Sequence, residues 1–285
     1  MLSHQAIAWS VNYVNTLTRA GFLLLALSVI SSYSQADDLV DAKKLEQIYD
    51  YSGVHSHLSW VLSVVQQEST KAQQSCQTQD VLPNIENALS EILAADALRT
   101  NFIGELRERI TPAQRDRIIS WMLSEAGQQV YKAEADSLNS DEQQFDAMFK
   151  TFQNSENNTD ARTARMSEML SDTGAVYFIS ALNTEISALV TVASVCSASI
   201  DDISKADALI KEERSGEALY RAFMRQELVT PGKVVYQDVT DESIDAYITF
   251  AKSDAGSAYF TALIKGVRTV LSERVEELKL ALESL

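Results

Sequence analysis

Thr111 to Ala133 reads TPAQRDRIISWMLSEAGQQVYKA, and Thr240 to Ala262 reads, without a gap, TDESIDAYITFAKSDAGSAYFTA. Thr111 pairs with Thr240, Asp116 with Asp245, Ile119 with Ile248 and Trp121 with Phe250. Ser124-Glu125-Ala126-Gly127 then returns as Ser253-Asp254-Ala255-Gly256. Helical sequences resemble one another by chance, but chance does not keep cap, aromatic, corner and glycine in one order. The match predicts two tandem copies of one folding unit.

The repeated stretch is written in the chemistry of helix ends. Thr111 is placed to cap the next helix, Pro112 suits its first position because it has no N–H to lose, and Gln114 completes a capping box. Thr240 repeats the cap, with Asp241 and Glu242 at the positive end of the helix dipole. Ser124 and Ser253 cap a second helix directly afterwards. The motif is therefore a helix, a tight corner and another helix, and Gly127 and Gly256 remove a side chain where the two axes approach.

Outside the motif the pattern stays helical. Only three prolines and nine glycines interrupt the chain, and apolar residues recur at spacings of three and four rather than two. In the last segment Tyr259, Leu263, Val267, Val270, Leu271, Val275, Leu278, Leu282 and Leu285 form one stripe, with charged residues on the remaining faces. The first unit reads as helices over 39–51, 54–76, 83–109, 112–123 and 125–138. A capping box at Ser140 to Gln143 then restarts a helix through Phe145, Met148, Phe149 and Phe152. The second unit runs similarly, with extra residues before Thr240 that include a turn signal, Thr230-Pro231-Gly232, and a candidate extended piece, Val234-Val235-Tyr236. The expected architecture is all-α: two units of about five helices each, residues 37–153 and 161–285, related by a pseudo-two-fold. The polar stretch 154–160 serves as their linker.

Residues 1–36 read as an export signal. Arg19 precedes an apolar run from Ala20 to Ile30, and Ser34-Gln35-Ala36 forms a small-residue cleavage site before Asp37-Asp38. The run is shorter than the roughly 20 residues a membrane span needs; retention as an uncleaved anchor is the alternative. Cleavage leaves no membrane span in the expected mature protein, which would be periplasmic or secreted. Losing Arg19 takes the formal charge from −16 to about −17, a surface that repels nucleic acid and anionic lipid.

Two cysteines remain, Cys76 and Cys196. After export a pair can oxidise. When Leu45 to Val65 is laid on Met166 to Ile186, Gly53 meets Gly174, Ser52 meets Thr173, and Cys76 meets Cys196 after a one-residue slip. Equivalent residues of two copies touch only near a two-fold axis, so a bridge places both cysteines there; two separate buried thiols are the alternative.

Candidate chemistry is sparse. His55 and His57 point apart on a helix and have no third ligand nearby, which disfavours a zinc site. No HExxH, GxSxG, phosphate loop or calcium loop occurs, no cofactor is implied, and no catalytic residue is nominated. The acidic residues read as solvated helix faces. His57, Trp60 and Val64 form a second stripe beside Val54, Leu58, Val61, Leu62 and Val65, which fits either an interface or ordinary core. The Phe145 to Phe152 stripe reads as core, with a groove as the other option.

A helix ending in aromatic-x-x-Ser-x-x-Gly after a Thr-capped start resembles a bacterial family of exported all-helical proteins known chiefly as a domain of unknown function. Trp121, Ser124 and Gly127, then Phe250, Ser253 and Gly256, carry the resemblance. Glu125 and Asp254 stand where that family often has Pro, and Met122 and Ala251 where it often has a second aromatic. The resemblance implies a helical envelope protein and brings no catalytic residues. The expected function is a noncatalytic binding or interaction protein acting through a groove or interface between the copies. The alternatives are a carrier of a small apolar ligand and a hydrolase with its site between the units.

Overall fold

A computed structural model describes residues 32–74, 76, 82–138, 142–153 and 158–284. Residues 1–31 of the expected signal, Ser140 and Asp141 of the expected capping box, residues 154–157 of the expected linker, and Leu285 of the last stripe lie outside the described residues.

Among the described residues there are thirteen helices and no strand. They are α1 (Ser32–Tyr51), α2 (Val54–Gln73), α3 (Leu82–Ile92), α4 (Ala95–Arg109), α5 (Pro112–Met122), α6 (Glu125–Leu138), α7 (Glu142–Gln153), α8 (Asp160–Asp172), α9 (Ala175–Ala193), α10 (Ile200–Glu227), α11 (Val229–Val235), α12 (Asp241–Lys252) and α13 (Asp254–Glu283). Seven of these precede residue 154 and six follow it, more than the five per unit read from the sequence. One difference is a break in the expected helix over 83–109. Ala94 leaves the helical region at φ −57°, ψ 131° and starts α4 without a side-chain cap.

The extended piece expected at Val234-Val235-Tyr236 is instead the end of α11. Pro231 sits in the first turn of that helix, where a missing N–H breaks no intrahelical bond. Gly232 continues it and donates its amide to Leu228 O at 2.9 Å. The glycine serves packing rather than turning, since a Cβ there would lie 3.0 Å from Met166 Sδ.

Three junctions occur twice along the chain. Gly53 and Gly174 both take left-handed backbone, at φ 70° and φ 66°, which an L side chain adopts only at a cost; they turn α1 into α2 and α8 into α9. Thr111 and Thr240 both cap by accepting an amide, from Gln114 at 3.4 Å and Ser243 at 3.2 Å. At the corners, Ser124 Oγ donates to Trp121 O at 2.6 Å and accepts from Gly127 N at 3.1 Å, and Ser253 does the same with Phe250 and Gly256 at the same distances.

Cross-helix ion pairs repeat as well. Lys44 on α1 pairs with Asp116 on α5 at 2.5 Å, and Arg165 on α8 pairs with Asp245 on α12 at 3.0 Å. Beside each lies a buried arginine. Arg115 reaches Asp41 and donates to Arg107 O at 2.8 Å. Arg162 reaches Asp241 and donates to Tyr236 O and Val239 O at 2.6 and 2.7 Å. The two arginines come from different members of their helix pairs: Arg115 lies on α5 and meets an acid of α1, whereas Arg162 lies on α8 and meets an acid of α12.

Helix α13 is the spine of one continuous core. Its Leu263, Val267, Val270, Leu271, Val275, Leu278 and Leu282 are all buried, each stabilising the fold by roughly 1.5–3 kcal/mol relative to exposure. It packs on α9 and α12 and also on α3, α4 and α5. At its crossing with α4, Gly266 admits the Phe102 ring, which would lie 2.9 Å from a Cβ. Helix α6 packs in turn on α12, so each corner's second helix lies against the other corner's first. Helix α9 is long and apolar enough to cross a membrane by length and composition; here α2, α10 and α13 cover it.

Candidate functional site

The Cys76–Cys196 disulfide closes the far end of the α2/α9 pair, with a Cα–Cα distance of 5.4 Å. Gln73, buried one turn earlier, donates Nε2 to Ala193 O at 2.7 Å and ties the same ends together. Nearer the start of the two helices, the His57 ring meets Phe178 edge-on, with centroids 5.4 Å apart. Alongside this pairing opens a groove of about 2550 Å³.

Its walls come from both ends of the chain. Helix α2 contributes His57, Trp60 and Val64, the second stripe of that helix, together with Val54 at its start, while Leu58, Val61 and Val65 turn into the core. Helix α9 faces them with Phe178, Ile179 and Val190, and α6 adds Tyr131, Glu134 and Leu138. Tyr236, Tyr247, Tyr259, Phe260 and Leu263 add to the lining, and α10 contributes Glu213, Glu217 and Tyr220. Small-molecule pockets usually span about 300–1,000 Å³, so this groove has the size for an elongated occupant.

The motif residues support the groove rather than line it. Trp121 stacks on Phe250 at 4.9 Å and on Tyr247 at 5.6 Å, with the rings within 9° and 5° of parallel. Phe250 in turn meets Phe260 and Tyr259 at 6.1 and 6.3 Å. This aromatic block fixes Tyr247, Tyr259 and Phe260, the rings that face the groove. Thr111 and Thr240 act only at helix starts, and Gly127 and Gly256 only at the corners. The Phe145 to Phe152 stripe does not line the groove: Phe152 is buried under the Lys233 ammonium, 5.6 Å from its ring.

Glu134 is a half-buried carboxylate in the groove wall for which no ion pair is found among the described residues. Its Oε1 accepts from Tyr236 Oη at 2.6 Å and from Tyr247 Oη at 3.3 Å. Its Oε2 accepts no hydrogen bond from the described residues, and none of their Lys or Arg side chains pairs with it. Burial pushes its pKa up, against the smaller opposing effect of the two tyrosine hydroxyls. Tyr236 and Tyr247 are pushed well above the usual tyrosine range, by burial first and then by the charge of Glu134, so both remain donors. Tyr259 moves in the same direction for the same reasons.

Other polar groups in the lining are satisfied within the fold. Glu217 accepts from Arg221 at 2.6 Å and Ser180 at 3.2 Å and also pairs with Arg268. Burial alone would raise its pKa, but the two arginines outweigh it and hold the carboxylate below its ordinary range. His57 is pushed down to about 4, by burial and then by His55, so its imidazole is neutral at physiological pH. Four carboxylates line the groove: Glu217 is held by two arginines, Glu68 pairs with Lys71 at 2.7 Å, Glu213 accepts from Ser187, and Glu134 accepts from two tyrosines.

Sequence reading passed over Glu134, Tyr236 and Tyr247. The acid was grouped with solvated helix faces and Tyr236 with an extended piece. The available signal was the placement of Glu134 on the otherwise apolar face of Tyr131 and Leu138 on α6.

Because an acid with a raised folded-state pKa holds its proton more tightly in the native state, stability falls as pH rises from about 4.5 through that value. Glu134→Gln keeps an acceptor for both tyrosines and never ionises. The variant is expected to melt about 2–4 °C above the parent at pH 8, as for a gain of about 1 kcal/mol in a chain of this size, with the gap closing toward pH 4. Calorimetry across this pH range checks it; a less stable variant at pH 8 sinks the assignment of a half-buried carboxyl without a counter-charge. No protein-family model, curated protein or solved structure matches the chain.

Proposed function

We propose that this protein is an exported, noncatalytic binding protein made of two copies of one helical unit, which holds an elongated, largely apolar ligand in the groove beside α2 and α9. The groove itself carries the reading. Its volume of about 2550 Å³ and its aliphatic and aromatic walls suit burial of an apolar chain, a transfer worth roughly 0.8 kcal/mol per CH₂. Hydroxyl, imidazole, amide and carboxylate side chains interrupt those walls and supply the polar groups that fix a ligand's orientation.

Duplication is supported by the junctions that occur twice and by two contacts between aligned residues. Trp121 stacks on Phe250, and Cys76 bonds to Cys196. Aligned residues of two copies meet in this way where a pseudo-two-fold passes. Seven helices against six, and a last helix packed across both halves, make the pair one fused core rather than two separable domains. The disulfide is compatible with an oxidising compartment, which supports export, and the exported helical family resembled by the Ser-x-x-Gly corners fits the same reading.

The test is direct binding of a neutral apolar fluorophore such as N-phenyl-naphthylamine. Saturable binding near one equivalent is expected. Val64→Glu, which puts a charge in the groove wall, should weaken it by about tenfold, the effect of losing roughly 1.4 kcal/mol. Leu280→Glu, on an exposed position of α13, should not. Absence of saturable binding, or equal loss in both variants, rejects the groove as the binding site.

A further inference from the structure

We infer that Glu134, with Tyr236 and Tyr247, is the anchor for a cationic amine head group, so that the groove ligand is an amphiphile carrying a primary ammonium on an apolar body. This rests on the groove reading above and narrows it to a chemical class.

The argument is one of donors and acceptors. A tyrosine hydroxyl has one proton to give. Tyr236 and Tyr247 both give theirs to Glu134 Oε1, at 2.6 and 3.3 Å, which leaves only lone pairs on the two phenol oxygens. Oε2 of the same carboxylate receives nothing from the described residues. When Glu134 is ionised, the corner of the groove where these three side chains meet therefore presents acceptors and no donor. An ammonium brings three donors and no acceptor. A carboxylate or phosphate head would bring charge of the same sign as Glu134 and acceptors facing acceptors.

The surroundings favour the same partner. Tyr131 lies one turn before Glu134 on α6, and Tyr259 and Phe260 line the groove with it. The faces of such rings attract cations most strongly where water is excluded. The remaining carboxylates of the lining do not compete for a ligand in the same way: Glu217 is held by Arg221 and Arg268, Glu68 pairs with Lys71, and Glu213 is exposed to water and accepts from Ser187. An arriving ammonium also supplies the counter-charge that the fold withholds from Glu134. The charge-assisted hydrogen bonds it forms are about twice as strong as neutral ones.

Calorimetric titration of the intact protein with decylammonium, decanol and decanoate, each below its micellar concentration, tests the inference. The parent should bind decylammonium about tenfold more tightly than decanol, and decanoate most weakly. Glu134→Gln should bring decylammonium and decanol to within about threefold of each other. Glu283→Gln, which removes the same formal charge from an exposed position at the end of α13, should leave the tenfold preference in place.

Equal affinities for all three probes in the parent overturn the anchor and leave the groove reading standing. A preference for decanoate does the same. A preference for decylammonium that survives in Glu134→Gln assigns it to the general negative charge of the protein and also overturns the anchor. Failure of all three probes to bind removes the groove reading and the anchor together.

Discussion

Gly256→Ala is expected to cost about 3 kcal/mol or more, lowering the melting temperature by roughly 6–12 °C in a chain of this size. A Cβ at Gly256 would stand 1.9 Å from Phe250 O, 2.7 Å from its carbonyl carbon and 2.9 Å from Ala251 Cα. All three are backbone atoms, so no side-chain rotation relieves the clash. The corner has to open instead. Opening it strains the Ser253 hydroxyl, which bridges Phe250 O and Gly256 N, and shifts α13 against α9 and α4. Gly127 faces the same obstacle, with Trp121 O at 2.1 Å, but α6 is shorter and less buried, so Gly127→Ala should cost less than Gly256→Ala. Gly104 and Gly216 supply the contrast. Neither would bring a Cβ within 4 Å of another group, and both lie inside helices, where Ala is favoured by roughly 0.5–1 kcal/mol. Denaturant titration of the four variants should therefore give opposite signs for the two pairs. A Gly256→Ala protein that unfolds at the parent's midpoint refutes the close-approach account.

What the sequence discloses about this fold is mostly what acts within four residues. A threonine that accepts an amide three positions on, a serine beside a glycine at a corner and a glycine in left-handed backbone are each written locally. The all-helical class and the helix ends around residues 111 and 240 were legible for that reason. The disulfide was legible for another: alignment of the two stretches brings Cys76 onto Cys196. Tertiary decisions were not. Nothing within four residues of Ala94 states that α3 must end and α4 begin there. Pro231 and Gly232 read as a turn, although the buried contact with Met166 keeps them helical.

The groove is the clearest case. Glu134, Tyr236 and Tyr247 lie on α6, at the end of α11 and on α12, over a hundred positions apart from first to last. A carboxylate on a helix is ordinarily a solvated one. Only the packing of α6 onto α12 turns Glu134 toward two tyrosines, and that packing follows from how the two corners exchange their second helices. The second stripe of α2 was visible as a pattern, but whether His57, Trp60 and Val64 would be covered or would face a cavity depended on the separation between α2 and α9.

That separation is tethered by the disulfide, whose removal should have the other large effect. Replacing Cys76 and Cys196 together by Ser is expected to cost about 4 kcal/mol, because the 120-residue separation closes a loop for which the chain-entropy estimate is roughly 4–5 kcal/mol. At about 2–4 °C per kcal/mol the melting temperature should fall by roughly 8–16 °C. In that account the bond acts mainly by restricting the unfolded chain, so the native groove should change little. Gln73 still reaches Ala193 O, and His57 still meets Phe178. The double variant, measured well below its own transition, should therefore bind the apolar fluorophore within about twofold of the parent. Stability and affinity are thus expected to separate. A melting shift of under about 3 °C contradicts the loop-closure estimate. A large loss of affinity in a still-folded double variant shows instead that the bond holds the groove walls at their working distance in the native state.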